Sequence, residues 1–275
     1  MSERGDASRS ILARPDLAAA SLEGIVAAER FEPTRPMRVA AAVAPLWAAP
    51  DPASERLDEL IHGEVFEALE SAGGFVWGQA ARDGYVGFVP AAALAPAGDP
   101  PTHRVAAIRT YAFAEPRVRS AASGPFSLNA LVAVAAEAGA FSRSADGAWF
   151  WTAHLAPIGR FERDPAAVAE RFLGAPYLRG GRTSVGLDGP GLIQQAIYAC
   201  GRALPREADL QLMEGREIPP AEAARGDLVG WRGHIGLLLD AARLIHASSH
   251  HMAVVIEPLD DAIARLEAAG RGPTV

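Results

Sequence analysis

The chain has 275 residues and a mass of 28.8 kDa, enough for two or three domains of ordinary size. Hydrophobic residues make up 49% of it and charged residues 21%, which is a globular composition and excludes a disordered chain. The formal charge is −7, and every basic residue is a scattered Arg, which argues against a nucleic-acid partner. No apolar run reaches the ~20 residues of a membrane span, and residues 1–20 hold no continuous apolar stretch typical of a secretory signal, so we expect a cytoplasmic protein without a membrane partner. The single cysteine, Cys200, excludes an internal disulfide and a multi-cysteine zinc site.

The N-terminal segment, residues 1–35, is polar and interrupted by prolines. We interpret it as an arm that is mobile or wraps a surface, with one helical stretch at 17–30.

An internal repeat follows the arm. Arg38-Val39-Ala40 recurs 66 residues later as Arg104-Val105-Ala106, and each copy continues into short strands with frequent turns. Each copy also contains an Asp-Gly pair between aromatic-rich strands, which is a strong hairpin signal. This pattern predicts two small β-barrels, at 36–97 and 103–158, joined by a proline-rich linker at 95–102.

The third region, residues 159–275, has predicted helices first and predicted strands after them. Asp164 and Asp188 are candidate N-caps, each followed by a proline in the first helical turn, and Gly201 is the predicted end of the second helix. Four short apolar strands follow, at 226–231, 234–240, 244–247 and 252–257, and a closing helix at 260–269. The order predicts an α+β domain.

Five short motifs occur in a fixed order in this third region. They lie at 177–182 (YLRGGR), 186–192 (GLDGPGL), 225–228 (RGDL), 233–236 (GHIG) and 244–247 (LIHA). In this order and spacing they resemble the NlpC/p60 family of bacterial cell-wall cysteine peptidases. The two upstream units look like the bacterial SH3-like domains that often precede that fold. The resemblance covers residues 36–265 and implies a papain-like α+β fold for 159–275.

The resemblance also implies a set of site residues. His234 corresponds to the general base and His246 to the group that orients it. The nucleophilic cysteine of the family, which would follow Asp188 at the helix start, is replaced here by Gly189. Pro190 stands where the family usually has Ser. The implied substrate-binding residues are Tyr177, Asp188, Arg179 (where the family usually has Trp) and Ser184.

Two other residues of the chain are candidate nucleophiles. Cys200 lies 11 residues after Gly189, about 16 Å along the helix at 1.5 Å per residue, at the end where the helix dipole disfavours a thiolate. Ser184 lies four residues before Asp188 in a loop and would have to reach His234. A metal site built from His246, His250 and His251, with His234 and Asp188, matches no standard ligand spacing. We therefore expect no metal and no cofactor.

The sequence thus predicts a degenerate peptidoglycan peptide hydrolase. In the family the reaction is cleavage of γ-D-glutamyl-diaminopimelate bonds by a cysteine nucleophile. With Gly189 at the nucleophile position, we expect an inactive copy that binds a peptidoglycan-derived peptide or a protein partner. Two alternatives remain open at this stage: an active hydrolase with a substitute nucleophile, and a protein-interaction scaffold.

Overall fold

The computed structural model describes residues 7–272, and the chain divides between Ile158 and Gly159 into an N-terminal and a C-terminal unit. Residues 1–6 of the predicted arm and 273–275 of the predicted C-terminal domain lie outside the described residues. None of the helices within residues 7–272 is long and apolar enough to cross a membrane.

The described part of the arm packs against the N-terminal unit. Strand β1 (Ala18–Ala19) pairs in parallel with β2 (Phe31–Glu32). Leu12 and Leu17 are buried in a cluster with Trp77, and the guanidinium of Arg14 lies 4.0 Å from the centre of the Trp77 ring. The predicted helix at 17–30 is wrong, because this segment buries a short extended apolar run on Trp77 and then forms only a single 3₁₀ turn.

One seven-stranded antiparallel sheet forms the first half of the N-terminal unit, in the order β5-β4-β8-β7-β6-β3-β9. Alternate side chains of its strands point into a core around Leu46, Phe66 and Tyr85. The strands are β3 (Arg35–Val39), β4 (Val43–Trp47), β5 (Arg56–Ile61), β6 (Val65–Ala72), β7 (Phe75–Ala80), β8 (Val86–Pro90) and β9 (Leu94–Pro96).

The second half repeats the same pairing pattern in two sheets, β13-β10-β17 and β12-β11-β16-β15-β14. Strand β10 pairs with β13 and β17 as β3 pairs with β6 and β9, and β11 pairs with β12 and β16 as β4 pairs with β5 and β8. The strands are β10 (His103–Val105), β11 (Arg109–Phe113), β12 (Ala122–Ser127), β13 (Leu131–Val132), β14 (Val134–Ala138), β15 (Phe141–Ser144), β16 (Trp149–Trp151) and β17 (Leu155–Pro157).

The prediction of two small β-barrels is not confirmed. Among the described residues, β5 and β9 remain the edges of the first sheet. In the second half the counterpart of β6 is interrupted at Ala133, and its two pieces, β13 and β14, pair with different neighbours. That interruption divides the second half into two sheets.

Helices and a four-stranded antiparallel sheet build the C-terminal unit, and the sheet order is β20-β21-β22-β23. Helix α2 packs on β21 and β22, and its side chains are buried almost all round. The elements are α1 (Pro165–Glu170), β18 (Arg182–Thr183), β19 (Gly186–Leu187), α2 (Gly189–Ala199), α3 (Ala208–Met213), β20 (Leu228–Trp231), β21 (His234–Asp240), β22 (Arg243–Ser248), β23 (Ala253–Pro258) and α4 (Leu259–Ala268). This is an α+β unit with helix α2 buried at its centre.

Candidate active site

Gly189 is the first residue of α2, and it lies directly against His234. The helix begins there because the Asp188 carboxylate accepts a hydrogen bond from the backbone N–H of Gly191 at 2.9 Å. A Cβ atom on residue 189 would lie 3.4 Å from Nδ1 of His234 and 3.2 Å from the carbonyl oxygen of Ile235. Any side chain at this position would therefore start beside the imidazole. The structure brings together Gly189 and His234, as the family resemblance requires.

A chain of polar contacts runs from His234 across the sheet. Nε2 of His234 lies 2.7 Å from Nδ1 of His246, the residue predicted to orient it. Nε2 of His246 lies 2.6 Å from Oε1 of Glu257 on β23. Arg265 on α4 completes the chain: its Nη1 donates to Oε2 of Glu257 at 2.8 Å, and its Nη2 contacts Oε1. We call His234, His246, Glu257 and Arg265 the histidine relay.

Burial keeps both imidazoles of the relay neutral. Desolvation, followed by the positive charge that His246 would carry, lowers the pKa of His234 to about 3. Desolvation also lowers the pKa of His246 to about 4, and Glu257 opposes that shift only in part. The pKa of Glu257 is itself held below its usual value: desolvation would raise it, but Arg265 and His246 together outweigh that effect. Near neutral pH the relay is therefore two neutral rings, one carboxylate and one guanidinium.

These shifts predict a loss of stability in mild acid. Below about pH 6.5 the unfolded chain protonates both histidines, whereas the folded rings stay neutral down to about pH 4 for His246 and about pH 3 for His234. The unfolded state then binds more protons, so the free energy of unfolding falls as the pH falls, by up to ~1.4 kcal/mol per pH unit for each histidine. Hydrogen exchange of the α2 amides, measured between pH 7 and pH 4.5 and corrected for the intrinsic rates, checks this.

The control for that measurement is the double variant His234→Gln, His246→Asn. In this variant the free energy of unfolding should still fall with pH because of the other titratable groups, but it should fall less steeply than in the wild type. An equal dependence on pH in the variant and the wild type would contradict the lowered pKa values of the two histidines.

Asp188 is the centre of a second buried polar cluster. Besides capping α2, its Oδ2 accepts a hydrogen bond from the backbone N–H of Gly180 at 2.8 Å. Arg206 binds the same carboxylate with both terminal nitrogens, at 2.9 and 2.8 Å, and both side chains are almost fully buried. This pair joins the helix start to the loop before β18 and to the segment before α3. Asp188, predicted to bind substrate, thus has both carboxylate oxygens bound within the protein.

The remaining predicted substrate-binding residues surround the helix start. Tyr177 is half-buried, and the pKa of its phenol is raised by desolvation and by the neighbouring Asp188 charge. Arg179 is exposed two residues further on. Ser184 is buried in the turn between β18 and β19. Their roles in binding stay predictions.

The predicted alternatives for catalysis lie elsewhere. Cys200 is the C-cap residue of α2, at the opposite end of the helix from Gly189. His246, His251 and Glu257 each bring one potential metal ligand atom within 4.8 Å of the others. Arg265 already binds both oxygens of Glu257, and its positive charge would oppose a divalent cation there.

Sequence reasoning missed Glu257, Arg265 and Arg206. Glu257 lies on the same face of the sheet as His246 because the register pairs His246 with Val255, two residues away. Pairing register is a property of the folded sheet, so no local sequence pattern identifies these three side chains. A Glu at 257 in an otherwise apolar strand was the one available signal.

A helix that begins against a strand histidine, with a second histidine on the next strand, is the architecture of a papain-like hydrolase domain. Sequence comparison specifies its family. Residues 174–267 match the NlpC/P60 family, and residues 46–94 match the bacterial dipeptidyl-peptidase SH3 domain. The C-terminal unit therefore contains an NlpC/P60 domain and the N-terminal unit a bacterial SH3 domain, which confirms that part of the prediction. The SH3 match covers only the first half of the N-terminal unit, so the second SH3-like domain stays a prediction.

Two of the similar proteins are bacterial hydrolases. Peptidoglycan endopeptidase RipB of Mycobacterium tuberculosis is 36% identical over 83 residues, which are 29% of this chain and 34% of RipB. Gamma-DL-glutamyl hydrolase of Bacillus subtilis is 33% identical over 115 residues, 36% of this chain and 28% of that protein. The chain thus covers about a third of the length of these relatives. An NlpC/P60 family protein from Bacillus cereus has a crystal structure that covers 82% of this chain and 94% of its own, with a TM-score of 0.73 and 17% identity, and it shows the shared fold.

Proposed function

We propose that the C-terminal domain is a degenerate NlpC/P60 hydrolase that binds a peptidoglycan-derived γ-D-glutamyl peptide beside Gly189 and His234 without cleaving it. The observation that carries the proposal is the position of Gly189. A side chain there would contact the imidazole of His234, yet glycine supplies no atom that could attack a carbonyl. The rest of the relay is present, with His246 buried and the other side chains partly buried.

The chemistry of the relatives supports the class of ligand. One is named for peptidoglycan and the other for a γ-glutamyl bond, and the matched residues include the domain that holds the relay. Binding does not require the nucleophile, whereas acyl transfer does: removing a protease nucleophile costs roughly 10⁶ in kcat. A domain with this geometry is expected to retain recognition and to lose turnover.

The N-terminal unit enters the proposal as two SH3-like domains. The second half reproduces the strand pairing of the half that matches the bacterial SH3 family, at the 66-residue offset of the sequence repeat. Their role would be to bind the same class of ligand or a protein partner.

Binding is tested by thermal unfolding with the peptide L-Ala-γ-D-Glu-diaminopimelate. A ligand that binds only the folded protein at 100 times its Kd adds about 2.7 kcal/mol to the free energy of unfolding, so the melting temperature is expected to rise. The matched ligand control is the same peptide with an α-linked L-Glu, which should give a smaller rise. The matched protein control is His234→Ala, in which the rise should shrink.

Mass spectrometry of the same mixtures separates binding from cleavage. We expect the peptide to be recovered intact after prolonged incubation. Cleavage by the wild type that is lost in His234→Ala would contradict an inactive domain and would support a substitute nucleophile. No rise in melting temperature with any of the peptides would contradict peptide binding and favour a scaffold.

A further inference from the structure

The histidine relay is a chain of close polar contacts, and the groups at its two ends differ in hydrogen-bonding character. At one end Arg265 can only donate hydrogen bonds, and the Glu257 carboxylate can only accept them. At the other end Nδ1 of His234 faces residue 189. Between them are two imidazoles, and a neutral imidazole carries one proton, on either Nδ1 or Nε2. The arrangement of these two protons decides what His234 presents to a ligand.

The carboxylate fixes the first proton. Oε1 of Glu257 lies 2.6 Å from Nε2 of His246, outside the direction of an ideal hydrogen bond, and a proton on Nε2 is what makes so close a contact favourable. If Nε2 carried a lone pair instead, it would face a carboxylate oxygen in a site where His246 is only 1% exposed, and water could not relieve the repulsion. His246 is therefore protonated on Nε2.

The first proton then fixes the second. A neutral His246 with its proton on Nε2 has a lone pair on Nδ1, which can only accept. Its partner at 2.7 Å, Nε2 of His234, must donate. His234 then has its proton on Nε2 and a lone pair on Nδ1, directed at residue 189. Burial keeps both rings neutral, which this single arrangement requires.

We propose that Glu257, anchored by Arg265, is a positioning residue that sets the tautomers of both histidines so that Nδ1 of His234 faces residue 189 as a hydrogen-bond acceptor. The ligand group that binds beside Gly189 is then a donor: an amide N–H, an ammonium group or a hydroxyl. A carboxylate or carbonyl oxygen is disfavoured at that point. The nature of the ligand as a peptide rests on the proposed function, whereas the tautomers do not.

Nitrogen-15 NMR of the histidine rings tests the proposal on the protein without any peptide. Long-range ¹H–¹⁵N correlation spectra distinguish a protonated ring nitrogen from a bare one, and His234→Gln and His246→Asn assign the signals. At neutral pH we expect a bare Nδ1 and a protonated Nε2 on both rings, in at least about tenfold excess, as a hydrogen bond to a charged group provides. A protonated Nδ1 on His234 would overturn the proposal.

The role of Glu257 is tested by Glu257→Gln. With its amide oxygen held by Arg265, Gln turns its NH₂ group toward His246, so the expected result is loss or reversal of the tautomer excess on His234. Glu257→Ala, which removes the side chain, should give a mixture of tautomers. Glu222→Gln makes the same chemical change on an exposed side chain of the same unit and should leave the spectrum unchanged.

These results test the histidine tautomers independently of peptide binding. An unchanged His234 pattern in both Glu257 variants would overturn the positioning role, whatever the peptide does. A failure to bind peptide would leave the measured tautomers as they are. A difference spectrum of the amide region shows that each variant is folded.

Discussion

Gly189→Cys is expected to convert the C-terminal domain into a peptidase. The new Cβ would lie 3.4 Å from Nδ1 of His234, so the thiol would begin within reach of a base that burial keeps neutral and unprotonated. A cysteine at a helix N-terminus is also favoured as a thiolate. Because loss of a nucleophile costs roughly 10⁶ in kcat, we expect cleavage of L-Ala-γ-D-Glu-diaminopimelate to rise at least ~10³-fold above the wild-type background. Chromatographic detection of the released diaminopimelate measures it.

The distances at residue 189 also define the controls for this variant. The Cβ would lie 3.2 Å from the carbonyl oxygen of Ile235, so the helix start must shift by a few tenths of an ångström. Gly189→Ala introduces that same shift without the thiol and should stay inactive. Adding His234→Ala to Gly189→Cys should remove the gained activity. If Gly189→Cys folds, binds the peptide and still shows no activity, even together with Pro190→Ser, then residue 189 is not the nucleophile position.

Local signals in the sequence predicted the helix and the strands that hold this site. The start of α2 follows from Asp188 and the proline after Gly189, and its end follows from Gly201, because caps and stops depend on a few neighbouring residues. The four strands between Leu228 and Pro258 were likewise predicted to within a few residues from their apolar runs.

The remaining contacts of the site join residues that are far apart in the sequence, and no local sequence pattern predicts such contacts. Glu257 reaches His246 through the register of β22 with β23, and Arg265 reaches Glu257 from the following helix. Arg206 lies in an irregular segment 18 residues after Asp188. The interruption at Ala133, which splits the second half of the N-terminal unit into two sheets, is equally a result of pairing between distant strands.

Arg206→Met is expected to destabilise the C-terminal domain strongly. Arg206 donates two hydrogen bonds to the Asp188 carboxylate in a buried environment. Removing one partner of a buried ion pair leaves the other charge without compensation, at a cost of about 3–5 kcal/mol. Two backbone N–H groups, of Gly180 and Gly191, remain on the carboxylate, so we place the effect at the lower end of that range. For a domain of this size the melting temperature should fall by roughly 10 °C.

The double variant Asp188→Asn, Arg206→Met shows whether Arg206→Met destabilises the domain through the uncompensated charge of Asp188 or through lost packing. Asn retains the helix cap, since it is as good an N-cap residue as Asp, and it removes the uncompensated negative charge. Its single amide oxygen keeps the hydrogen bond from Gly191, and the hydrogen bond from Gly180 is lost, because an NH₂ group cannot accept it. The double variant should therefore be more stable than Arg206→Met alone, although each substitution taken singly removes an interaction.

Arg202→Met, on an exposed Arg four residues earlier, should change the free energy of unfolding by less than about 0.5 kcal/mol. Hydrogen exchange of the α2 amides follows this domain separately from the N-terminal unit. A double variant less stable than Arg206→Met would show that the carboxylate stabilises the helix start mainly through Gly180 and Gly191, and not through Arg206.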